Sequence, residues 1–376
     1  MIKQKINSVG NNREKEIQLD SFGLWYKPYH DETKDSSYDV KSIFELHINL
    51  WSKLKMSGCK DDITYLDIGI KVKNYKSVSE LLFLCPFSFD MNDICDLSDK
   101  MSDKKNVDLV FNNNCELRTK DRYWIIENKT SDNNVEDLLV FSFDQSVDNV
   151  VCIEEEVEDK SSKLIIKFDL FRKYIESLAD PCNNGCNDSL KEINDVYLRF
   201  RITSPELKSS LFSNVEPMNK YFQSGFISTQ IIDFKMNSKR NIDDRILAKA
   251  VGNEEKLVKF SKIHFLLMEP SSNNVVFMSE NNTTCRNLEK GKWDEYLECS
   301  GIENMLVYHW KKSANSDMMH KPIEEFNQLV KINYSKTNPK IIMWYIFVVF
   351  VLGIAGSYVT QAVRYVIDNI IKLIFK

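Results

Sequence analysis

The sequence predicts a β-rich α+β body, arranged as two sandwich-like lobes, followed by a single C-terminal transmembrane helix and an amphipathic tail. Two observations carry this prediction. Short runs rich in β-branched and aromatic residues recur from Ser42 to Trp310, each bounded by Asn, Asp, Ser or Lys clusters, which is the signature of strands. The stretch from Ile341 to Val363, IIMWYIFVVFVLGIAGSYVTQAV, contains no Asp, Glu, Lys, Arg or His, and a helix of about 20 mostly apolar residues crosses a bilayer core. Trp344 and Tyr345 stand near one end of it, where aromatic rings favour the headgroup level.

The domain reading follows the changes of texture. Residues 1–20 are a polar N-terminal segment and 21–178 a β-rich domain. Residues 187–312 form a second α+β domain, 313–340 a polar linker, 341–363 the transmembrane helix and 364–376 the tail. In the first domain, strands are expected at Ser42–Trp51, Tyr65–Val72, Glu80–Phe87, Val107–Phe111, Arg122–Glu127, Leu138–Phe143, Val150–Val157 and Leu164–Phe168. The last two flank a polar hairpin loop, and Asn112–Asn114 signals a turn. Leu170–Leu178 reads as a helix, and Pro181–Cys186 as a loop at the domain boundary.

Strands resume at Val196–Thr203 and Ser228–Met236. Asn241–Phe260 looks helical, interrupted by Gly252, with Asn241 as its cap and Asp243 and Asp244 favourable in its first turn. Lys262–Glu269 and Val275–Met278 flank Pro270–Asn274 as a hairpin, and Met305–Trp310 is the last expected strand. Ile323–Ile332 shows an amphipathic turn or two within the linker.

The tail beyond the span is patterned. Arg364, Asp368 and Lys372 are four apart, so they share one helical face and are spaced for ion pairing. The same stripe runs back through Gln361, Thr360, Ser357, Gly356 and Gly353. Two readings fit: a tail that lies on the membrane surface, or one helix that continues to the end. In the second, several copies could turn the stripe inward around a watery path, because charges near hydrocarbon face a bundle interior or a cavity.

The chain carries a net charge of −5, and the segment after Lys340 contributes +2, so residues 1–340 carry −7. That acidic balance gives no general pull toward nucleic acid. The N-terminus, MIKQKINSVGNNREKEIQLD, lacks the apolar core of a secretory signal. The expected protein is therefore single-pass and tail-anchored, with a cytoplasmic body. In that setting its Asn-X-Ser/Thr sites stay unmodified and its nine cysteines stay reduced.

Candidate chemistry is sparse. None of the five histidines sits in HExxH or in a tight sequence pair, and His47, His264 and His309 fall within strands. Cys182–Cys186 is a CxxxC without a second ligand pair, and Cys152, Cys285 and Cys299 could complete it only if the fold brought them close. Glu154, Glu156 and Glu158 read as one face of a solvated hairpin. Phosphate-cradling glycine loops, GxSxG and kinase signatures are absent, so neither catalytic residues, nor a metal, nor a cofactor is expected. A basic cluster of Lys235, Lys239, Arg240 and Arg245, joined by Arg199 and Arg201, is the candidate phosphate site.

This layout resembles the membrane-acting transmembrane effectors of prokaryotic antiviral defence systems, of the Hailong and CBASS classes. The resemblance rests on the domain order and on residues 341–376. It implies a body that binds a nucleotide or oligonucleotide signal, a partner enzyme that makes the signal, and homo-oligomers that permeabilise the inner membrane. The stripe Gly353, Gly356, Ser357, Thr360, Gln361, Arg364, Asp368 and Lys372 would line the path or the helix interface. A tail-anchored scaffold, with the span as a tether, is the alternative.

Overall fold

The computed structural model describes residues 20–29, 42–54, 62–120, 123–129, 135–143, 150–156, 160–178, 190, 192–215, 227–280, 283–299, 302, 304–314, 321–335 and 339–375. In chain order the strands are β1 Gly23–Pro28, β2 Ile43–Leu54, β3 Ile63–Lys73, β4 Val78–Cys85, β5 Ile94–Asp96, β6 Glu116–Lys120, β7 Tyr123–Lys129, β8 Val135–Phe141, β9 Val151–Glu156 and β10 Ser161–Lys167. They continue as β11 Asp195–Ile202, β12 Phe212–Val215, β13 Ile227–Met236, β14 Lys256–Leu257, β15 Phe260–Pro270, β16 Asn274–Met278, β17 Thr283–Asn287, β18 Met305–Ser313 and β19 Phe326–Ser335. The helices are α1 Lys104–Phe111, α2 Phe168–Leu178, α3 Glu206–Leu211, α4 Asp244–Gly252, α5 Asp294–Leu297 and α6 Pro339–Ile374.

Three sheets form. A ten-stranded sheet runs β17-β18-β15-β2-β3-β11-β8-β7-β6, with β5 also on β11. A five-stranded sheet runs β14-β1-β4-β10-β9, and a four-stranded sheet β12-β13-β19-β16. One apolar core takes side chains from all three: Phe44, Ile48, Ile68 and Phe200 from the first, Leu24, Phe83 and Leu164 from the second, and Ile232, Phe234 and Val330 from the third. The ten-stranded sheet is thus one layer of a sandwich, and the two smaller sheets lie side by side as the other. Phe22 stacks on Phe234 at 5.3 Å and lies 5.9 Å from Phe83, while Phe234 meets Phe265 at 5.1 Å, so these rings join the sheets.

The outer face of the five-stranded sheet is covered by α4, whose Ile246 and Ala250 pack on Trp25, Leu82, Leu84 and Ile165. On the outer face of the ten-stranded sheet, α1 packs Val107 against Met101, Cys115, Ile126 and Val140. α5 and the segment before it bring Trp293, Tyr296 and Leu297 onto Trp51 and Met268. Both faces of this sheet are therefore largely covered.

Several expectations are corrected. Val107–Phe111 is helical: Asp103 caps α1 by accepting from the Lys105 amide at 2.8 Å, and Asn112 ends it at φ 50°. Asn241–Phe260 is not one helix, because Asp243, not Asn241, caps α4, and Glu254 turns the chain at φ 60° into β14. β15 and β16 do not pair; β15 has β2 on one side and β18 on the other, so the chain crosses to β19 in another sheet. The linker contains β19, whose Phe326, Gln328, Val330 and Ile332 alternate inward. Strands from both expected lobes share the ten-stranded sheet and one core, so the sandwich is formed by both together. The CxxxC at 182–186, the boundary loop around it and residues 1–19 lie outside the described residues.

Phe234 sits where the three sheets meet. Phe234→Ala should cost roughly 3–5 kcal/mol, the range for a truncated core aromatic, read as an earlier unfolding transition of the full chain in detergent micelles. Val251→Ala, on the exposed side of α4, should leave the transition in place.

Candidate functional site

The C-terminal helix is the first candidate element. α6 is continuous for 36 residues, from Pro339 to Ile374, with no break at Val363. The tail therefore prolongs the helix. Ile342–Ile374 is long and apolar enough to cross a membrane, and none of it is buried against the body. The stripe residues Gly353, Gly356, Ser357, Thr360, Gln361, Arg364, Asp368 and Lys372 are all exposed. The Thr360 hydroxyl donates to the Gly356 carbonyl at 2.8 Å, which satisfies it within its own helix.

The second element is a basic cleft of about 460 Å³ at the end of β19 remote from α6. Its cations are Lys239, Arg240, Lys312 and Lys321, and its carboxylates Glu324 and Glu325. Two local devices hold it. Asn237, at φ 57°, accepts from the Leu24 amide at 2.8 Å and donates to the Val258 carbonyl at 2.9 Å, fixing the turn that carries Lys239 and Arg240. Ile323 exchanges both backbone hydrogen bonds with Phe260, at 2.9 and 2.8 Å, which fixes the opposite wall. Lys259 binds Glu324 at 2.7 Å and, with Lys239 and Lys321, holds its carboxyl below the usual range. Lys312 lies 3.8 Å from Glu280. Cations exceed free carboxylates here, on a body whose overall charge is negative.

Of the six expected phosphate-binding residues, only Lys239 and Arg240 line this cleft. Lys235 pairs with Asp233 at 2.9 Å and Arg245 with its own helix cap, Asp243, at 3.0 Å. Arg199 and Arg201 lie elsewhere, buried on the outer face of the ten-stranded sheet.

That face carries two polar rows set by strand register. One runs Lys311, His264, His47, Gly69, Arg199; the next runs His309, Leu266, Asn49, Asp67, Arg201. Asp67 is fully buried and is the hub. It accepts from Arg201 Nε at 2.6 Å and Nη2 at 3.1 Å, from Trp51 Nε1 at 2.9 Å and from the Tyr296 hydroxyl at 2.9 Å. Burial raises its pKa, but the guanidinium of Arg201 and the other donors outweigh that and hold it below the usual carboxylate range.

Arg199 donates to Tyr296 at 2.6 Å and to Tyr197 at 3.0 Å. With its amide turned, Asn49 accepts from Arg199 at 3.0 Å. Two guanidiniums thus share one carboxylate, and ring faces take up the excess charge: Arg201 lies 4.6 Å from Tyr65 and 5.3 Å from Tyr296. A Cβ on Gly69 would come within 2.2 Å of the Tyr197 hydroxyl and 2.9 Å of Arg199, so any other residue here would have to displace these two buried side chains.

The three strand histidines, apart in sequence, are brought together. His264 Nδ1 and His309 Nε2 are 2.9 Å apart, and the His47 and His264 rings are 5.1 Å apart. Burial, then His309, Lys262 and Lys311, push His264 down to about 3. Burial, then His264, Arg199 and Lys71, push His47 well below its ordinary value. Burial, then Lys311 and Arg286, lower His309. The cluster is built to stay neutral.

The signal for these rows was present in the chain as non-apolar positions, most of them ionisable, alternating with apolar ones in strand-like runs: Glu45, His47 and Asn49; Asp67, Gly69 and Lys71; Tyr197, Arg199 and Arg201. Tyr296, from a short helix, carries no such signal. The acidic run is also corrected: Glu156 is buried and pairs with Lys163 at 3.2 Å and Lys249 at 2.8 Å, while Glu154 is exposed. Glu158 lies outside the described residues. Among the described residues no group of three His, Cys, Asp or Glu could hold a metal ion.

No protein-family model matches the chain. No curated protein matches it either. Among solved structures, the chain is similar to the Fcho1 Mu homology domain of Danio rerio with bound Eps15 peptide, at 8% identity over 85% of this chain and 82% of that one, with a TM-score of 0.15. A likeness at that score carries no argument about fold or function.

Asp67→Asn should destabilise the body by roughly 3–5 kcal/mol, because it leaves two buried guanidiniums without a carboxylate; denaturant unfolding of the full chain in micelles reads this. The histidines predict an acid slope. Between about 6.5 and 3, His264 is protonated in the unfolded chain and neutral in the folded one, so stability falls as pH drops from about 6.5, by up to about 1.4 kcal/mol per unit from this residue. Unfolding midpoints from pH 7.5 to 5 should show it, and His264→Asn should shallow it.

Proposed function

We propose that this chain is a membrane-anchored effector whose body binds an anionic signal and whose C-terminal helices associate to permeabilise the membrane. The observation that carries the proposal is α6: one unbroken helix, apolar around most of its perimeter, with a stripe that grows more polar toward Arg364, Asp368 and Lys372. A charged side chain in hydrocarbon is costly, and association with the stripes inward removes that cost. Among the described residues Arg364, Asp368 and Lys372 form no ion pair with one another, although their spacing allows it, which leaves them free to pair between copies.

The basic cleft supports the sensing half. Multiply charged phosphates of a nucleotide or oligonucleotide suit an open site with Lys239, Arg240, Lys312 and Lys321. Lys321–Glu325 lead directly into β19, and β19 ends three residues short of α6. A ligand that draws the cleft walls together therefore acts on the strand that feeds the helix. In this reading the body is cytoplasmic at a prokaryotic inner membrane, a signalling enzyme supplies the ligand, and the resemblance in layout to defence effectors supports an antiviral role.

Ion flux through liposomes holding the full chain, with a panel of cyclic and linear nucleotides, tests both halves. One ligand should open flux. Arg364→Leu and Asp368→Leu should alter conductance without lowering insertion, and Lys239→Glu with Arg240→Glu should abolish the ligand response. Wild-type conductance in the first pair would remove the stripe from the path. A silent membrane under every ligand, with the protein inserted, would favour a scaffold whose span is only a tether.

A further inference from the structure

The exposed apolar side chains of the body are unevenly placed. Among the described residues before α6, nine large hydrophobic residues are more than a third exposed, and four of these, Val215, Ile227, Val276 and Phe277, belong to the four-stranded sheet. Their register puts them at one end of it. Ile227 pairs with Ser335, the last residue of β19. Val215 pairs with Thr229, which pairs with Asn333. Phe277 pairs with Lys331, and Val276 occupies the irregularity just beside it. All four therefore lie within the last five residues of β19, a depth of about 14 Å.

The opposite end of the same sheet is charged, with Lys239, Arg240, Glu324 and Glu325 around the row that joins Met236 to Phe326. The sheet is thus polarised along its strands, and its apolar end is the one from which α6 departs. Only residues 336–338 separate Ser335 from Pro339. Fully extended, that link spans at most about 14 Å. A bilayer's polar layer reaches roughly 5–8 Å beyond the hydrocarbon on each side. However the link runs, the Ile227–Ser335 row stays near the surface of any membrane that α6 crosses. Lys331, exposed and opposite Phe277, adds a cation of the kind that meets lipid phosphates beside an aromatic ring.

We infer that this end of the four-stranded sheet, Val215, Ile227, Val276 and Phe277 with Lys331, is a lipid-docking surface that seats the body on the headgroup layer. The inference rests on the reading that α6 crosses the membrane. It commits to the lipid interface as occupant because the short link holds this surface there, contiguous with the apolar helix. Seating the body fixes its distance from the bilayer, so that movement of β19 is transmitted to α6 and not absorbed by the body riding freely above the surface.

The test uses the full chain in vesicles of phosphatidylcholine and phosphatidylglycerol. A photoreactive benzophenone side chain is placed in turn at Ile227, Phe277, Phe350 and Val251. Phe350 lies within the span, and Val251 is exposed on α4. The inference expects lipid adducts from Ile227, Phe277 and Phe350, and loss of the adduct at Val251. Adducts at Phe350 with Ile227 and Phe277 at the Val251 level would overturn it and leave the spanning reading intact. Covalent dimers at Ile227 or Phe277 in place of lipid adducts would also overturn it, making the surface a contact between copies. Absence of a lipid adduct at Phe350 would overturn the spanning reading and the inference with it.

Discussion

The carboxylate of Asp67 accepts four hydrogen bonds from three side chains, and much of the body is arranged so that it can. A buried charge costs several kcal/mol unless its partners are complete. Completing them fixes three strands and a helix at once. Trp51 comes from β2 and Arg201 from β11, each held at one register position relative to β3, and Tyr296 reaches Asp67 from α5. A slip of one residue would turn Asp67 and Gly69 into the apolar core and Leu66 and Ile68 out of it. The polar rows therefore specify register more sharply than the apolar face does, because apolar neighbours can exchange at small cost and an unpaired guanidinium cannot.

The legible part of the fold was the part decided locally. Alternation in Tyr65–Val72 and Val196–Thr203 marks strands whatever they pair with, and Ile341–Val363 carries its own length and apolarity. The errors were decided at a distance. Val107–Phe111 is too short to show a period, and its helical state rests on the Asp103 cap and on packing against Met101 and Cys115. β15 and β16 flank a good turn, yet β15 is already held by β2 and β18. β19 reads as polar because only one of its faces meets the core, and its inward set includes Gln328.

The same distinction separates the candidate residues. Lys239, Arg240, Arg199 and Arg201 are alike as sequence: cations on or near strand-like runs. Strand period places Arg199 and Arg201 on one face, but whether that face is open depends on Tyr296, which arrives 97 residues downstream of Arg199 and closes it. Lys239 and Arg240 remain open because Asn237 turns the chain out of the sheet just before them. Position in the covalent chain then gives the cleft its interest: Lys321–Glu325 form one wall, and the strand that follows leads to the membrane-spanning helix.

That helix poses a physical problem of length and of polarity. At about 1.5 Å per residue, its 36 residues measure roughly 54 Å. Even at a tilt of about 40°, the upper end of what spanning helices adopt, it would project about 41 Å against a hydrocarbon core of about 30 Å. Some of it must leave hydrocarbon, and the charges of Arg364, Asp368 and Lys372 say that it is the C-terminal part. Yet that part also exposes Val366, Ile367, Ile370, Ile371, Leu373 and Ile374, a perimeter that water disfavours. A tail lying flat would satisfy both sets, but it needs a bend after Val363 that the helix does not have. Copies packed side by side, as proposed above, would meet both demands without a bend. In the proposed assembly their apolar flanks would cover one another or face lipid, and their stripes would turn to a shared interior where Thr360, Gln361, Arg364, Asp368 and Lys372 would find water and each other.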